Sequence, residues 1–180
     1  GIGVEADIEI GQMDLTNLEM IILPGGLGGV ASIRGCQAAM DAVRFAYEND
    51  KYTAAICAGP TVLADLGITD GKQATCYPGC EGQMGNADML PDRTFVWDGK
   101  VITGTSAGCA TAFGLALVEA LKGKEAADAI ATTVIRKYDE LASRGEILDR
   151  YGRVLVSNAE RYNLKIDTDK LFANEDPNAV

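Results

Sequence analysis

The chain has 180 residues with a net charge of −10, 47% hydrophobic residues, five cysteines and no histidine. That length suits one domain with a sizeable core, and the acidic balance argues against general phosphate-backbone binding, which needs clustered Lys and Arg. The missing histidine excludes any Ser-His-Asp triad, Cys-His dyad or His-based metal site built from this chain alone.

No stretch approaches ~20 consecutive apolar residues, so no membrane span is expected. The N-terminus shows no signal pattern, and the five cysteines are irregularly spaced. Reduced thiols in a cytoplasm are the expected state.

In chain order, Val4 to Ile10 alternates weakly and predicts a strand. Glu19 to Leu23 is a short apolar run ending at Pro24-Gly25-Gly26, which reads as a buried strand and a loop. Cys36, Ala39, Met40, Val43, Ala46 and Tyr47 recur at helical spacing. Tyr52 to Cys57 predicts the next strand. Pro60 to Leu66 reads as a helix with Pro in its first turn and Gly67 as its stop. Gln73 to Cys76 predicts a short strand. Thr94 to Thr103 predicts a hairpin, with Asp98-Gly99 suited to a turn of positive φ. Ala107 to Leu121 is apolar on most faces and predicts a buried helix. Lys124 to about Leu141 continues as an amphipathic helix after Gly123. Strands alternating with helices imply an α/β layered domain with a mostly parallel sheet. This domain is expected over residues 1–141. Residues 142–180 read as an extension, with one added strand at Arg153 to Ser157 and a frayed end.

Four patterns bear on chemistry. From Gly26, the loop Gly25-Gly26-Leu27-Gly28-Gly29-Val30-Ala31 fits G-x-G-x-x-A, the dinucleotide fingerprint. Its acidic partner would be Glu48, which falls on a predicted helix instead of a strand end. The alternative is a tight loop bringing backbone N–H groups to the strand ends. Gly104-Thr105-Ser106-Ala107-Gly108 matches the G-x-S-x-G elbow, but a serine needs a base and no histidine is present. A small-residue turn that lets a helix pack close to the sheet is the expected reading. Cys76 and Cys80 have no second pair to complete a zinc site, and neither a metal nor a cofactor is expected.

The fourth pattern is Ala54-Ala55-Ile56-Cys57-Ala58-Gly59-Pro60. It places a thiol on a sharp strand-to-helix turn, at the sheet edge where open α/β folds bind ligands. A helix N-terminus favours a thiolate, and the backbone N–H groups that follow can hold an oxyanion. From the residues alone, a nucleophile and a buried structural cysteine both remain open.

"IILPGG" (Ile21 to Gly26), "AAICAGPTVLADLGI" (Ala54 to Ile68), "KQATCYPG" (Lys72 to Gly79) and "DGKVITGTSAGCATAFGLALVEALKGKEAA" (Asp98 to Ala127) together resemble the ThiJ/PfpI superfamily, in its DJ-one-like branch. The match runs in order to about Tyr138. The resemblance implies a flavodoxin-like α/β sandwich, usually a homodimer. It makes Cys57 the nucleophile and oxidation-sensitive thiol, with the N–H groups of Gly26 and Ala58 as oxyanion donors. Gly25, Tyr77, Thr105 and Ser106 would border the pocket. The implied substrates are small reactive carbonyls, in glyoxalase or deglycase chemistry, with no nucleic acid or membrane partner. The alternatives are a redox-sensing or chaperone-like stress protein using the same cysteine, or an inactive or split paralogue.

The sequence departs from the family pattern in four places. Ala58 follows the cysteine where the protease-like branch has His, which excludes a Cys-His protease. Tyr77 stands where some relatives have His. Thr105 stands where Arg is common. The usual first strand and its Glu have no counterpart here, so the chain is expected to be completed by an N-terminal segment or a second chain. Otherwise the tail substitutes, with "RVLVSNAE" supplying a strand and Glu160 the acid.

Overall fold

In the computed structural model, which describes residues 5–134, 147–148 and 154–156, the short apolar runs become strands. The first is β1 (Met20–Leu23), followed by α1 (Leu27–Gly35) and α2 (Gln37–Glu48). Then come β2 (Tyr52–Ile56), α3 (Pro60–Asp65), and two short strands, β3 (Gln73–Ala74) and β4 (Asp88–Met89). β5 (Phe95–Asp98) and β6 (Val101–Gly104) form the hairpin, and α4 (Ala110–Lys122) and α5 (Lys124–Val134) follow. The chain divides into two compact units, Gly1–Ala127 and Asp128–Val180.

The first unit is built on a four-stranded sheet in the order β1-β2-β6-β5. β1, β2 and β6 are parallel, and β5 returns antiparallel to β6. Side chains alternate across a strand, and adjacent alanines of β2 show the consequence. Ala55 packs on one face with Leu23, Val30, Val43, Val62, Leu63 and Val101. Ala54 packs on the other with Ile102, Phe113, Ala116 and Leu117 of β6 and α4. Helices therefore cover both faces, which gives a three-layer α/β sandwich. β2 is almost entirely apolar and interior, as expected for a central parallel strand.

Several expectations need correction. The alternation at the N-terminus yields no strand. The described part, Glu5 to Glu9, is irregular and leads into a 3-10 turn, Ile10–Gln12, with Ile8 and Ile10 exposed. Alternation without a neighbouring strand has nothing to pair with. The glycine-rich segment expected as a loop closes directly into α1 from Leu27. Cys36 then separates α1 from α2 in an extended conformation. The hairpin forms as expected, but its two-residue loop is Gly99-Lys100, and only Gly99 has positive φ. That is the pattern of a turn with glycine at the first central position. The helix expected from Ala107 starts as a 3-10 turn, Ala107–Cys109, before α4. Gly123, at φ +85°, ends α4 before α5 begins. The continuation of α5 to Leu141 lies outside the described residues.

The second unit contains β7 (Ile147–Leu148) and β8 (Val154–Val156), paired antiparallel. The strand expected near Arg153 to Ser157 thus pairs with β7 and has no place in the four-stranded sheet. Among the described residues, no strand pairs with the outer side of β1. An apolar groove of about 460 Å³ runs beside it, lined by Ile10, Met13, Leu18, Met20 and Ile22 among others. No described helix is long and apolar enough to cross a membrane.

Candidate active site

Cys57 sits directly after β2 and takes φ +64°, one of two non-glycine residues with positive φ among those described. For an L-residue this region costs about 1–2 kcal/mol, so the surrounding structure must impose it. The Cys57 N–H donates to the Gly104 carbonyl at 2.9 Å, which ties the elbow to the end of β6. The Cys57 carbonyl accepts the Tyr77 N–H at 2.8 Å. Gly59 donates to the Ile56 carbonyl at 3.0 Å, and Thr61 Oγ1 donates to the Ala58 carbonyl at 2.8 Å, closing the first turn of α3.

The small residues around the thiol are required by close approach. A Cβ on Gly25 would lie 2.5 Å from Cys57 Cβ and 2.8 Å from the Ile56 carbonyl oxygen. One on Gly59 would lie 2.7 Å from the Leu23 carbonyl oxygen. The glycine loop after β1 and the elbow after β2 therefore touch backbone to backbone. Two glycine motifs that look separate in the sequence form one site.

A pocket of about 470 Å³ opens at this junction. Gly26, Leu27, Cys57 and Ala58 line it from the loop and elbow. Tyr77, the turn that follows it, and Gln83 supply the remaining wall. Among the described residues, none that lines the pocket is Asp, Glu, Lys or Arg. The wall turn runs Tyr77-Pro78-Gly79-Cys80. The Cys80 N–H donates to the Tyr77 carbonyl at 2.9 Å, and Gly79 has φ +94°. Proline second and positive-φ glycine third are the signature of a type II turn. The Glu81 carboxylate accepts the Gly79 N–H at 2.7 Å and fixes the turn from behind.

The structure gathers Cys57, Gly26, Ala58 and Tyr77 around one cavity, with Gly25 packed against the elbow. Thr105 and Ser106 are not among the lining residues. Thr105 Oγ1 bonds to Thr75 Oγ1 at 3.0 Å and donates to the Arg93 carbonyl. Ser106 Oγ donates to Cys109 Sγ at 3.6 Å. Glu160 lies outside the described residues. Glu48, the candidate dinucleotide carboxylate, is exposed at the end of α2.

Cys76 is buried at 2% exposure, and its thiol donates to the Tyr77 carbonyl at 3.5 Å. Desolvation, then Glu81, Cys80 and Cys57, push its pKa up to about 12. It is a thiol and not a nucleophile at neutral pH. Sequence reasoning missed Leu27, Pro78, Gly79, Cys80 and Gln83 as pocket residues. The available signal was Pro78-Gly79, which turns the chain after Tyr77 and brings Cys80 back to the same wall.

A model of the DJ-1/PfpI family matches residues 1–120. A second, the Penicillin-binding Protein dimerisation domain, matches residues 139–180. Protein dj-1beta of Drosophila melanogaster is 35% identical over 134 residues, covering 74% of this chain and 72% of that one. Its crystal structure superposes with a TM-score of 0.71 at 34% identity, covering 76% of this chain and 74% of that one. The glutathione-independent glyoxalase DJR-1.2 of Caenorhabditis elegans is 31% identical over 127 residues, covering 69% of this chain and 67% of its own length. Other relatives are longer: the chain spans 56% of Drosophila DJ-1alpha and 35% of DJ-1 homolog A of Arabidopsis thaliana.

Proposed function

Because the chain belongs to the DJ-1/PfpI family and shares its flavodoxin-like α/β fold, we propose that it is a cysteine-dependent enzyme acting on small reactive carbonyls, of glyoxalase type. The observation that carries this reading is a pocket with no charged side chain among its described lining residues, in which Cys57 sits on a strained elbow beside the glycine loop. A charged substrate would need a counter-charge in such a site. A small neutral 2-oxoaldehyde does not. The relative named as a glutathione-independent glyoxalase supports the same chemistry.

In this mechanism the Cys57 sulfur attacks the aldehyde carbon and forms a hemithioacetal. The same mechanism has the N–H groups of Gly26 and Ala58, two residues that line the cavity with Cys57, hold the oxygen that gains charge. A proton then moves from the former aldehyde carbon to the neighbouring carbonyl carbon through an enediol. This leaves a 2-hydroxyacyl thioester. Water cleaves the thioester, releasing the 2-hydroxy acid and the free thiol. Tyr77, half exposed at the pocket wall, orients the substrate carbonyl in this mechanism. We assign the working unit as a homodimer, to be checked by light scattering.

The test is conversion of methylglyoxal to lactate by the purified chain and by Cys57→Ala. The variant is expected to lose turnover to the level of buffer. Equal turnover by both proteins would remove Cys57 from the reaction. A cysteine-based redox sensor is the second reading, favoured by the crowding of Cys57, Cys76 and Cys80 at this site.

A further inference from the structure

We propose that Cys80 is the resolving thiol of Cys57: a peroxide converts Cys57 to a sulfenic acid, and Cys80 condenses with it to an intramolecular disulfide across the pocket. The proposal rests on Cys57 being the reactive thiol, as in the reading above.

All five cysteines are free, and Cys57 and Cys80 are the two that line this cavity. Two consecutive hydrogen bonds connect them. The Cys57 carbonyl accepts from Tyr77 N–H, and the Tyr77 carbonyl accepts from Cys80 N–H, at 2.8 and 2.9 Å. The wall turn is thus registered on the elbow that presents the nucleophile. A disulfide holds its Cα atoms about 4.4–6.8 Å apart. Tyr77, Pro78 and Gly79 are exposed, while Cys80 is 7% exposed and belongs to the core cluster, so it meets Cys57 through the pocket that both line.

The other thiols are excluded by placement. Cys76 is buried behind the wall, engaged with the Tyr77 carbonyl and held protonated. Cys109 receives the Ser106 hydroxyl after β6, and Cys36 separates α1 from α2. The Cys76 thiol senses both Cys57 and Cys80, as three neighbouring sulfurs should.

The steps balance. The Cys57 thiolate attacks one peroxide oxygen, the O–O bond breaks, and the other oxygen leaves as alkoxide or hydroxide. The Cys80 sulfur then attacks the sulfenic sulfur. The S–O bond breaks, and the departing hydroxide takes the Cys80 proton as water. The net change is two thiols and one peroxide to one disulfide, one water and one alcohol or second water. A disulfide is restored by thiols, whereas a sulfinic acid is not. The pair would therefore protect Cys57 from irreversible oxidation.

The experiment treats the full chain with a small excess of hydrogen peroxide, at least about two equivalents so that a sulfenic acid left unresolved can reach sulfinic acid, and maps peptides without reduction, beside Cys80→Ser. Wild type is expected to give a Cys57–Cys80 disulfide within one chain, erased by dithiothreitol. Cys80→Ser is expected to carry Cys57 on to sulfinic acid, which dithiothreitol leaves in place. Wild-type Cys57 found as sulfinic acid with Cys80 free, or joined to another cysteine or chain, overturns the proposal and leaves Cys57 reactive. Oxidation spread over all five thiols overturns both readings. If Cys80→Ser does not fold, the wild-type peptide map decides alone.

Discussion

At the scale of single residues, the site is a conflict between backbone preference and chemistry. Cys57 holds φ +64° because hydrogen bonds on both sides of it, to Gly104 and Tyr77, leave the chain no other path. Glycine tolerates that conformation where other residues do not. In ordinary positions Gly is less stable than Ala by roughly 0.5–1 kcal/mol. Here relief of about 1–2 kcal/mol of strain should offset or reverse that. Cys57→Gly is therefore expected to match or exceed Cys57→Ala in urea stability, with both lacking thiol chemistry. A Cys57→Gly midpoint clearly below that of Cys57→Ala would mean the elbow is relaxed. The elbow and its glycine loop were legible in the sequence because their demands are local: an apolar run that ends, then residues without bulk. For Cys80 the sequence offers only the Pro78-Gly79 turn, which returns it toward Tyr77 without locating the pocket. Its position depends on the bond between Cys57 and Tyr77, which no local pattern announces.

At the scale of elements, the legible strands were those with enough residues to show a pattern. β1, β2 and the β5–β6 hairpin fell where apolar runs and turn residues placed them. β3 also falls within the short strand expected at Gln73 to Cys76, whereas β4, with two residues, is too short to show a period. α1 escaped notice because its glycines mimic a loop and only Val30 is buried. β3 is held to β6 by side-chain chemistry instead of length. The Thr75 N–H donates to Thr103 Oγ1 at 2.9 Å, and both residues are fully buried. Thr103→Val keeps the shape and removes the acceptor. A buried N–H left without a partner costs about 1–3 kcal/mol, so the variant should unfold at lower urea by that amount. Because Thr75 leads directly to Cys76 and Tyr77, its Cys57 should also show altered alkylation kinetics. Unchanged stability would mean the Thr75 N–H finds water or another acceptor.

At the scale of the whole molecule, the question is whether the first unit works alone. The loop, elbow and wall residues of the pocket fall between Gly26 and Gln83, inside the unit Gly1–Ala127. The two family matches also divide the chain, at residues 1–120 and 139–180. We therefore propose that residues 1–141 are an independent α/β domain and 142–180 an appended segment. The enediol step still needs a group to carry a proton between carbons, and among the described residues no carboxylate lines the pocket. Glu160 is the candidate that the tail would supply. A chain ended after Leu141 separates these ideas. If the domain is independent, the shortened chain keeps its urea midpoint, its Cys57 alkylation rate and its lactate production. If the tail carries the proton, alkylation persists while turnover drops by about 10²–10⁴, the usual contribution of a general acid–base. Glu160→Gln in the full chain should then reproduce that drop. Loss of both alkylation selectivity and folding would instead make the tail part of the domain itself.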